Sequence, residues 1–356
     1  MSDTPHVDRA SARAQLWLRR SVHFLDRWRK RGRRPRRLFG NVLVRVATRV
    51  DPGVLPAAFA RLDPVVVRAA AAALPVPGPP PGRPPDGACL VCHSPRVSRR
   101  EVQYTANPGL RKTVNSCARC GFVGIDEIRP SHYRAATSLD QLPRPNRRMG
   151  TEERPGREFQ MARMALQILD RKSEQNVLVY GAGRSLDNLH IQRLPRVGTV
   201  SIADIMQVRD DAPFVDVNDP GKQRFPVVVA SEVIEHFRDP WSDFATLLGL
   251  VTRQGLLVCG TNIHGGRPNL ERDRYIYYPD HTSYYSVASI RRIATAMGFY
   301  VDFRLPEGLG RRKRYVLFTR SPAVLGRAAD YFGRVPLGPS EATFARQQER
   351  ATQAAD

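Results

Sequence analysis

Four cysteines stand in two pairs, Cys89-x-x-Cys92 and Cys117-x-x-Cys120, with twenty-four residues between the pairs. Each C-x-x-C turn lets two thiolates reach one ion, and four sulfurs suit the tetrahedral preference of zinc. A closed four-sulfur set leaves no coordination position for chemistry, so the metal is expected to be structural. The fifth cysteine, Cys259, sits in an apolar run and reads as packing. A second set of reactive types lies in "VVVASEVIEHFRDP" at 227–240, where an apolar run ends in Ser231, Glu232, Glu235 and His236. These side chains are costly to bury, which places them at a strand's mouth. Further on, "YYPDHTSYY" holds Tyr278 and His281 in a polar aromatic loop. Imidazole titrates near neutral pH, so His236 and His281 are the candidate bases for removing a proton from an acceptor. His281 is the preferred one, because its loop suits a sugar or another flat substrate; His236 reads equally as a structural, hydrogen-bonded residue.

These residues need a scaffold that aligns strand ends. "NVLVYGAG", "GTVSIAD", "FPVVVAS" and "GLLVCGT" are short β-branched runs separated by helical stretches. That alternation predicts a parallel sheet covered by helices on both faces. "EFQMARMALQILD" carries an apolar stripe at helical spacing, and "FYVDFRL" with "RYVLFTR" reads as a closing antiparallel pair. Gly181 and Gly183 join the first strand to a helix, Asp204 ends the second strand, and Asp216 ends a third short one. A carboxylate at the end of the second strand can accept both ribose hydroxyls of a nucleoside. Three polar strand ends on one side of such a sheet mark a ligand crevice.

From about 157 to 319 the chain resembles class I S-adenosylmethionine-dependent methyltransferases. The resemblance is carried by "VLVYGAG", "SIAD", "VVVASEVIEHFRDP", "GLLVCGTNI" and "YPDHTSYYSVASIRRIATAMGF". It implies a Rossmann-like, seven-stranded α/β sheet in which only the last-formed edge pairing is antiparallel. It also implies S-adenosyl-L-methionine as cofactor, with Tyr180, Gly181, Gly183, Asp204, Asp216, Ser231 and Glu232 as its site. The two glycines lie against the methionine part, Asp204 holds the ribose hydroxyls, Asp216 faces the adenine amino group, and Ser231 and Glu232 line the sulfonium end. Three positions depart from the family's pattern. Val179 stands where an acidic residue is usual, Ser185 where a third glycine is usual, and Pro226 where an Asp is usual. A zinc knuckle pair directly before such a domain is similar to enzymes that methylate sugars or cell-surface saccharides, and to certain ribosomal RNA methyltransferases. In the sugar C-methyltransferases, positions matching His236 and Tyr278-Pro279-Asp280-His281 lie near the substrate. The long C-terminal region of those enzymes has no counterpart here.

The expected organisation is a basic helical extension (1–75), a Pro-rich linker (76–88), a zinc-binding unit (89–129), a connector (130–156), the methyltransferase domain (157–320) and a polar tail (321–356). Formal charge is +22, from 56 Lys and Arg against 34 Asp and Glu, and residues 1–85 alone hold 17 Arg or Lys against 5 Asp. Such an excess points to an anionic partner, nucleic acid or an acidic membrane face, unless it reflects only an Arg-, Ala- and Pro-rich composition. Residues 13–31 place Trp17, Leu18, Val22, Phe24, Leu25 and Trp28 at helical spacing, before "RWRKRGRRPRR". A basic amphipathic helix of this kind suits a membrane interface better than phosphate alone, which needs no apolar stripe. No run approaches the ~18–20 apolar residues of a membrane span, and no signal-peptide pattern opens the chain. The expected location is therefore the cytoplasm, with peripheral contact at the inner face of the plasma membrane. The leading expectation is methyl transfer to a saccharide or glycan precursor. An RNA methyltransferase is the runner-up, although no Asp/Asn-Pro-Pro-Tyr/Phe motif of amino-group methylation is present. A membrane- or nucleic-acid-binding protein with a vestigial methyltransferase domain is the alternative of another class.

Overall fold

The structure, a computed structural model, describes residues 82, 84–126, 138–141, 148–265, 268–304 and 313–333. The expected basic extension, about half of the Pro-rich linker and of the connector, and residues 334–356 of the expected tail lie outside the described residues. In chain order the strands and helices are β1 (Val97–Gln103), β2 (Arg111–Cys117), β3 (Val123–Ile125), α1 (Arg157–Leu169), β4 (Gln175–Tyr180), α2 (Asp187–Gln192), β5 (Val197–Asp204) and β6 (Phe214–Asp216). They continue with β7 (Phe225–Ser231), α3 (Pro240–Gly249), β8 (Val251–Asn262), β9 (Ser283–Tyr284), α4 (Val287–Ala296), β10 (Tyr300–Arg304), β11 (Lys313–Thr319) and α5 (Pro322–Gly333). Among the described residues, no helix is long and apolar enough to cross a membrane.

Seven strands form one sheet in the order β10-β11-β8-β7-β4-β5-β6. β4, β5, β6, β7 and β8 pair in parallel, and β11 runs antiparallel to both β8 and β10. This is the Rossmann-like, seven-stranded sheet that the resemblance implies, with one correction: β11 is inserted between β8 and β10, so two pairings are antiparallel rather than a single edge pairing. Side chains alternate between faces along each strand, so every central strand feeds two cores. Val177, Val179, Val227, Val229, Leu256 and Val258 pack under α1 and α5. Leu178, Tyr180, Val228, Ala230, Leu257 and Cys259 pack under α3 and α4. Strands buried on both sides read as continuous apolar runs, which is why "PVVVAS" shows no period-2 alternation.

Helix starts follow the local chemistry. Asp239 caps α3 by accepting from Trp241 N at 3.1 Å and Ser242 N at 3.2 Å, with Pro240 at the first helical position. Proline is suited there because its missing N–H would have no intrahelical partner. Ser286 and Ser289 form a reciprocal capping box at the start of α4.

Two expectations of domain organisation change. The polar tail expected from 321 begins with helix α5, whose Val324, Ala328 and Ala329 are buried against the sheet. Its fully buried positions are small, and the larger Tyr331 and Phe332 pack against the same core only in part. The zinc-binding unit expected at 89–129 is not closed on itself. Its sheet has the order β1-β2-β3-β9, and β9 comes from beyond residue 280. Val123 pairs with Tyr284 and Gly124 with Ser283. Val102, Val114, Val123 and Ile125 share a core with Leu270, Tyr275, Ile276, Tyr277 and Tyr284.

Candidate cofactor and acceptor site

The crevice lies along the C-terminal ends of β4, β5 and β7. Gly181 and Gly183 turn the chain out of β4 at φ +69° and +49°, values that favour glycine. A Cβ on Gly181 would stand 2.5 Å from Val233 Cγ2, so only a bare backbone lets β4's turn pass β7's exit. Asp204, at the end of β5, accepts from Gly183 N at 3.1 Å and from Ile205 N at 2.8 Å. Each carboxylate oxygen keeps a lone pair beyond its backbone donor. Burial pushes the Asp204 carboxyl upward, against the pull of those two N–H groups. Asp216 is exposed at the end of β6 and accepts from Asn218 N at 2.8 Å. Tyr180 is buried under the α3 face, and burial raises its phenol. Ser231 is buried with no partner for its hydroxyl oxygen. These residues fit an adenosyl cofactor: two glycines cleared for close backbone approach, a buried carboxylate at the second strand end, and a third acidic strand end beyond it.

Sequence reasoning missed the groups that brace this crevice. Arg209 sends its guanidinium back to the carbonyls of Gly183 and Ser185 and to the side chains of Asn188 and Asp211. It thereby ties the glycine turn to the start of α2. Glu158 of α1 accepts from Ser185 Oγ at 3.1 Å, which gives a role to the serine at the third-glycine position. Burial first, and then a hydrogen bond with Asp187, pushes the Glu158 carboxyl up to about 8. No spacing rule marks these residues, because their partners come from other elements.

Glu232 leaves β7 in the left-handed region, at φ +58°, with its N–H bonded to Gly260 O at 2.8 Å. Its carboxylate pairs with Lys313 at the start of β11 and with Arg157 Nη1 at 3.6 Å at the start of α1. Glu235 is fully buried; burial pushes its carboxyl up to about 7. Thr261 Oγ1 donates to Glu235 Oε2 at 3.1 Å and lies 2.7 Å from Tyr275 OH. A hydroxyl carries one proton, so Tyr275 is the donor in the second bond.

His236 and His281 do meet, edge to face, with ring centroids 5.0 Å apart. Their environments differ. His236 Nδ1 lies 2.9 Å from the carbonyl of Asp280, which can only accept, so Nδ1 carries the proton and Nε2 keeps its lone pair. Burial lowers the basicity of His236 and keeps it neutral at pH 7. His281 is only 6% exposed, and burial with the neighbouring His236 pushes it down to about 3. Burial thus lowers both imidazoles, and His281 the more; His281 packs against Tyr275 at 4.4 Å and Tyr278 at 5.2 Å. Tyr278 is 45% exposed, with the Arg274 guanidinium 5.5 Å over its ring.

The four cysteines converge as their spacing predicts. Their sulfurs all lie within 4.8 Å of one another, with Cys89–Cys120 at 3.6 Å and Cys92–Cys117 at 3.4 Å, and none is in a disulfide. Zinc–sulfur bonds of ~2.3 Å in a tetrahedron put sulfurs about 3.8 Å apart, so the cluster is sized for such an ion. It sits against the main core rather than apart from it: Phe122 meets Tyr285 at 5.3 Å, and Tyr285 meets Phe244 of α3 at 5.6 Å. Ser286 Oγ, the α4 cap, donates to the Cys120 carbonyl.

No protein-family model matches the chain, and no curated protein matches it. Solved structures similar to it include 1,6-didemethyltoxoflavin-N1-methyltransferase from Burkholderia thailandensis, with bound 1,6-didemethyltoxoflavin and S-adenosylhomocysteine (16% identity, 45% of this chain and 76% of that one, TM-score 0.35). Another is an O-methyltransferase family protein from Burkholderia thailandensis (17% identity, 46% of this chain, TM-score 0.37), of whose length the chain spans 55%. A third is magnesium protoporphyrin IX methyltransferase from Synechocystis PCC 6803 with bound S-adenosylmethionine (17% identity, 46% of this chain and 79% of that one, TM-score 0.33).

Proposed function

We propose that the chain is an S-adenosylmethionine-dependent methyltransferase that acts on a saccharide or glycan precursor and carries one structural zinc ion. The observation that carries the first part is the convergence of Gly181, Gly183 and Asp204 on one crevice at the parallel strand ends. S-Adenosylmethionine supplies an electrophilic methyl group when bound. The protein's part is to align an acceptor hydroxyl and take its proton, and this reading assigns that to His236, whose Nδ1 is held by the Asp280 carbonyl so that Nε2 is the nitrogen with the lone pair. Support for a sugar acceptor comes from the exposed Tyr278 ring beside the His236–His281 pair, a flat apolar surface next to polar groups. Titration calorimetry with S-adenosylmethionine tests the reading directly. Asp204→Ala should weaken binding roughly tenfold to a hundredfold, since hydrogen bonds to a charged group are worth ~1.5–3 kcal/mol. Unchanged affinity in the folded variant would remove Asp204 from the site.

The basic extension supports a place at the inner face of the membrane, beside lipid-linked glycans. Each basic residue near an anionic surface contributes ~1 kcal/mol, and eight of the eleven residues 27–37 are basic. Full-length protein should pellet with anionic liposomes, and deletion of residues 1–40 should abolish most of that binding. Equal pelleting of both forms, or tighter salt-sensitive binding to RNA, would favour the RNA methyltransferase instead.

A further inference from the structure

At the mouth of β7 an acid and two bases meet across three separate elements: Glu232 after β7, Arg157 at the start of α1 and Lys313 at the start of β11. Both cationic side chains are largely withdrawn from water, at 13% and 6% exposure, and they share one carboxylate that is 33% exposed. Burial pushes the Lys313 ammonium well below its ordinary range, so the group rests on the Arg157 guanidinium and the Glu232 carboxylate, opposite charges side by side in a partly desolvated place. Its pairs are also incomplete. Arg157 Nη1 stands 3.6 Å from Glu232, beyond the ~2.7–2.9 Å of a strong charge-assisted bond, and its buried Nε has no hydrogen-bond partner. Lys313 is anchored by donating to Gly260 O at 3.1 Å, the same carbonyl that fixes the Glu232 backbone. Glu232 is held in a left-handed conformation that costs a non-glycine residue energy, and such strain persists where the surroundings over-determine it. The position matters as much as the charges. Val233, next to Glu232, is the residue that a Cβ on Gly181 would strike, so the acid–base group adjoins the glycine turn.

We propose that Arg157 and Glu232, braced by Lys313, grip the α-amino-acid end of the cofactor, Arg157 taking the carboxylate and Glu232 the ammonium group. The inference rests on the methyl-transfer reading and deepens it. An α-amino acid presents opposite charges one carbon apart, and a guanidinium beside an exposed carboxylate is the matching pattern. The guanidinium fork binds a carboxylate through two parallel donors, and an unpartnered Nε leaves one of them open. This assignment gives the chain a grip on the methionine end although Val179, buried under α1, offers none.

Two probes separate this subsite from the rest of the crevice. S-Adenosylhomocysteine carries the amino-acid end; 5′-methylthioadenosine keeps the nucleoside and sulfur but lacks it. By calorimetry on the full chain, wild type should bind S-adenosylhomocysteine more tightly than 5′-methylthioadenosine. Arg157→Ala and Glu232→Gln should each lower affinity for the former roughly tenfold to a hundredfold, the worth of one or two hydrogen bonds to a charged group. Both should leave affinity for the latter within about twofold, which also reports an intact fold. Arg157→Lys, keeping the charge but losing the fork, should fall between. Equal affinity of wild type for the two ligands, or an equal loss for both in the variants, overturns the inference while leaving the methyl-transfer reading standing. A wild-type protein that binds neither ligand removes that reading and the inference with it.

Discussion

Chelating the metal from reduced protein should expose two stretches far apart in sequence, 89–126 and 268–286, while β4, β5, β7 and β8 stay protected. One zinc per chain is expected by elemental analysis before treatment. The second stretch responds because its structure is borrowed from the first. Thr105 N donates to Glu271 O at 2.8 Å, Ile125 N to Thr282 O at 3.0 Å, and Tyr104 stacks on Tyr277 at 5.0 Å. Metal binding to such clusters is coupled to folding and contributes ~10–16 kcal/mol in zinc-finger peptides. Backbone hydrogen exchange in both stretches should therefore accelerate on the order of a hundredfold or more, a change that needs only about 3 kcal/mol. Affinity for S-adenosylhomocysteine should change far less, since no cysteine of the cluster lies in the cofactor crevice. Exchange that rises only within 89–126 would show that the acceptor loop stands without the metal unit. On the proposed reading, metal loss would act on the acceptor side, through the loop that holds His281 and Tyr278, before it acts on the cofactor.

Gly181→Ala is expected to cost ~2–5 kcal/mol in folding stability and most of the cofactor affinity. Two causes add. An L-residue at φ +69° is strained by about 1–2 kcal/mol, and a Cβ 2.5 Å from Val233 Cγ2 forces an overpacking cost of ~1–3 kcal/mol. Only the second is relieved by trimming the neighbour. Gly181→Ala with Val233→Ala should recover part of the stability in denaturant unfolding, whereas Val233→Ala alone should destabilise. A double variant no better than Gly181→Ala would mean that backbone strain alone carries the cost.

The central strands were legible because each is a β-branched run long enough to be buried on two faces, and the strand mouths because polar residues there interrupt the runs. The end of β7 shows the pattern most clearly: Val227 to Ala230 are fully buried, and Glu232 is partly open to solvent two residues later. The four cysteines were legible from spacing alone. β9 was not, since Ser283–Tyr284 is two residues long and is a strand only because β3 lies beside it. The same holds for the site's bracing groups. Arg157, Glu232 and Lys313 meet through the packing of α1, β7 and β11, and no local pattern joins residues so far apart. His281 is the preferred base in sequence because its loop is polar and aromatic; what the sequence does not show is that the loop folds inward against Tyr275, where burial lowers the imidazole's basicity. α5 was missed because its fully buried positions, Val324, Ala328 and Ala329, are small, and its larger Tyr331 and Phe332 are only partly buried at its end.

The pairing of β3 with β9 also dictates an order of assembly. During synthesis the cysteines emerge first, and Val123 and Gly124 must wait some 160 residues for Tyr284 and Ser283. Contacts of such long range are slow to form, because loop closure is unfavourable until the partner arrives. The metal can gather its four thiolates early, but the apolar side of β1, β2 and β3 stays bare until the chain beyond 268 is made. A nascent chain stalled before that point would present Val102, Val114, Val123 and Ile125 as an uncovered face, the kind of surface that chaperones hold. The chain beyond residue 268 is thus what releases the metal-binding unit from the translation machinery's care.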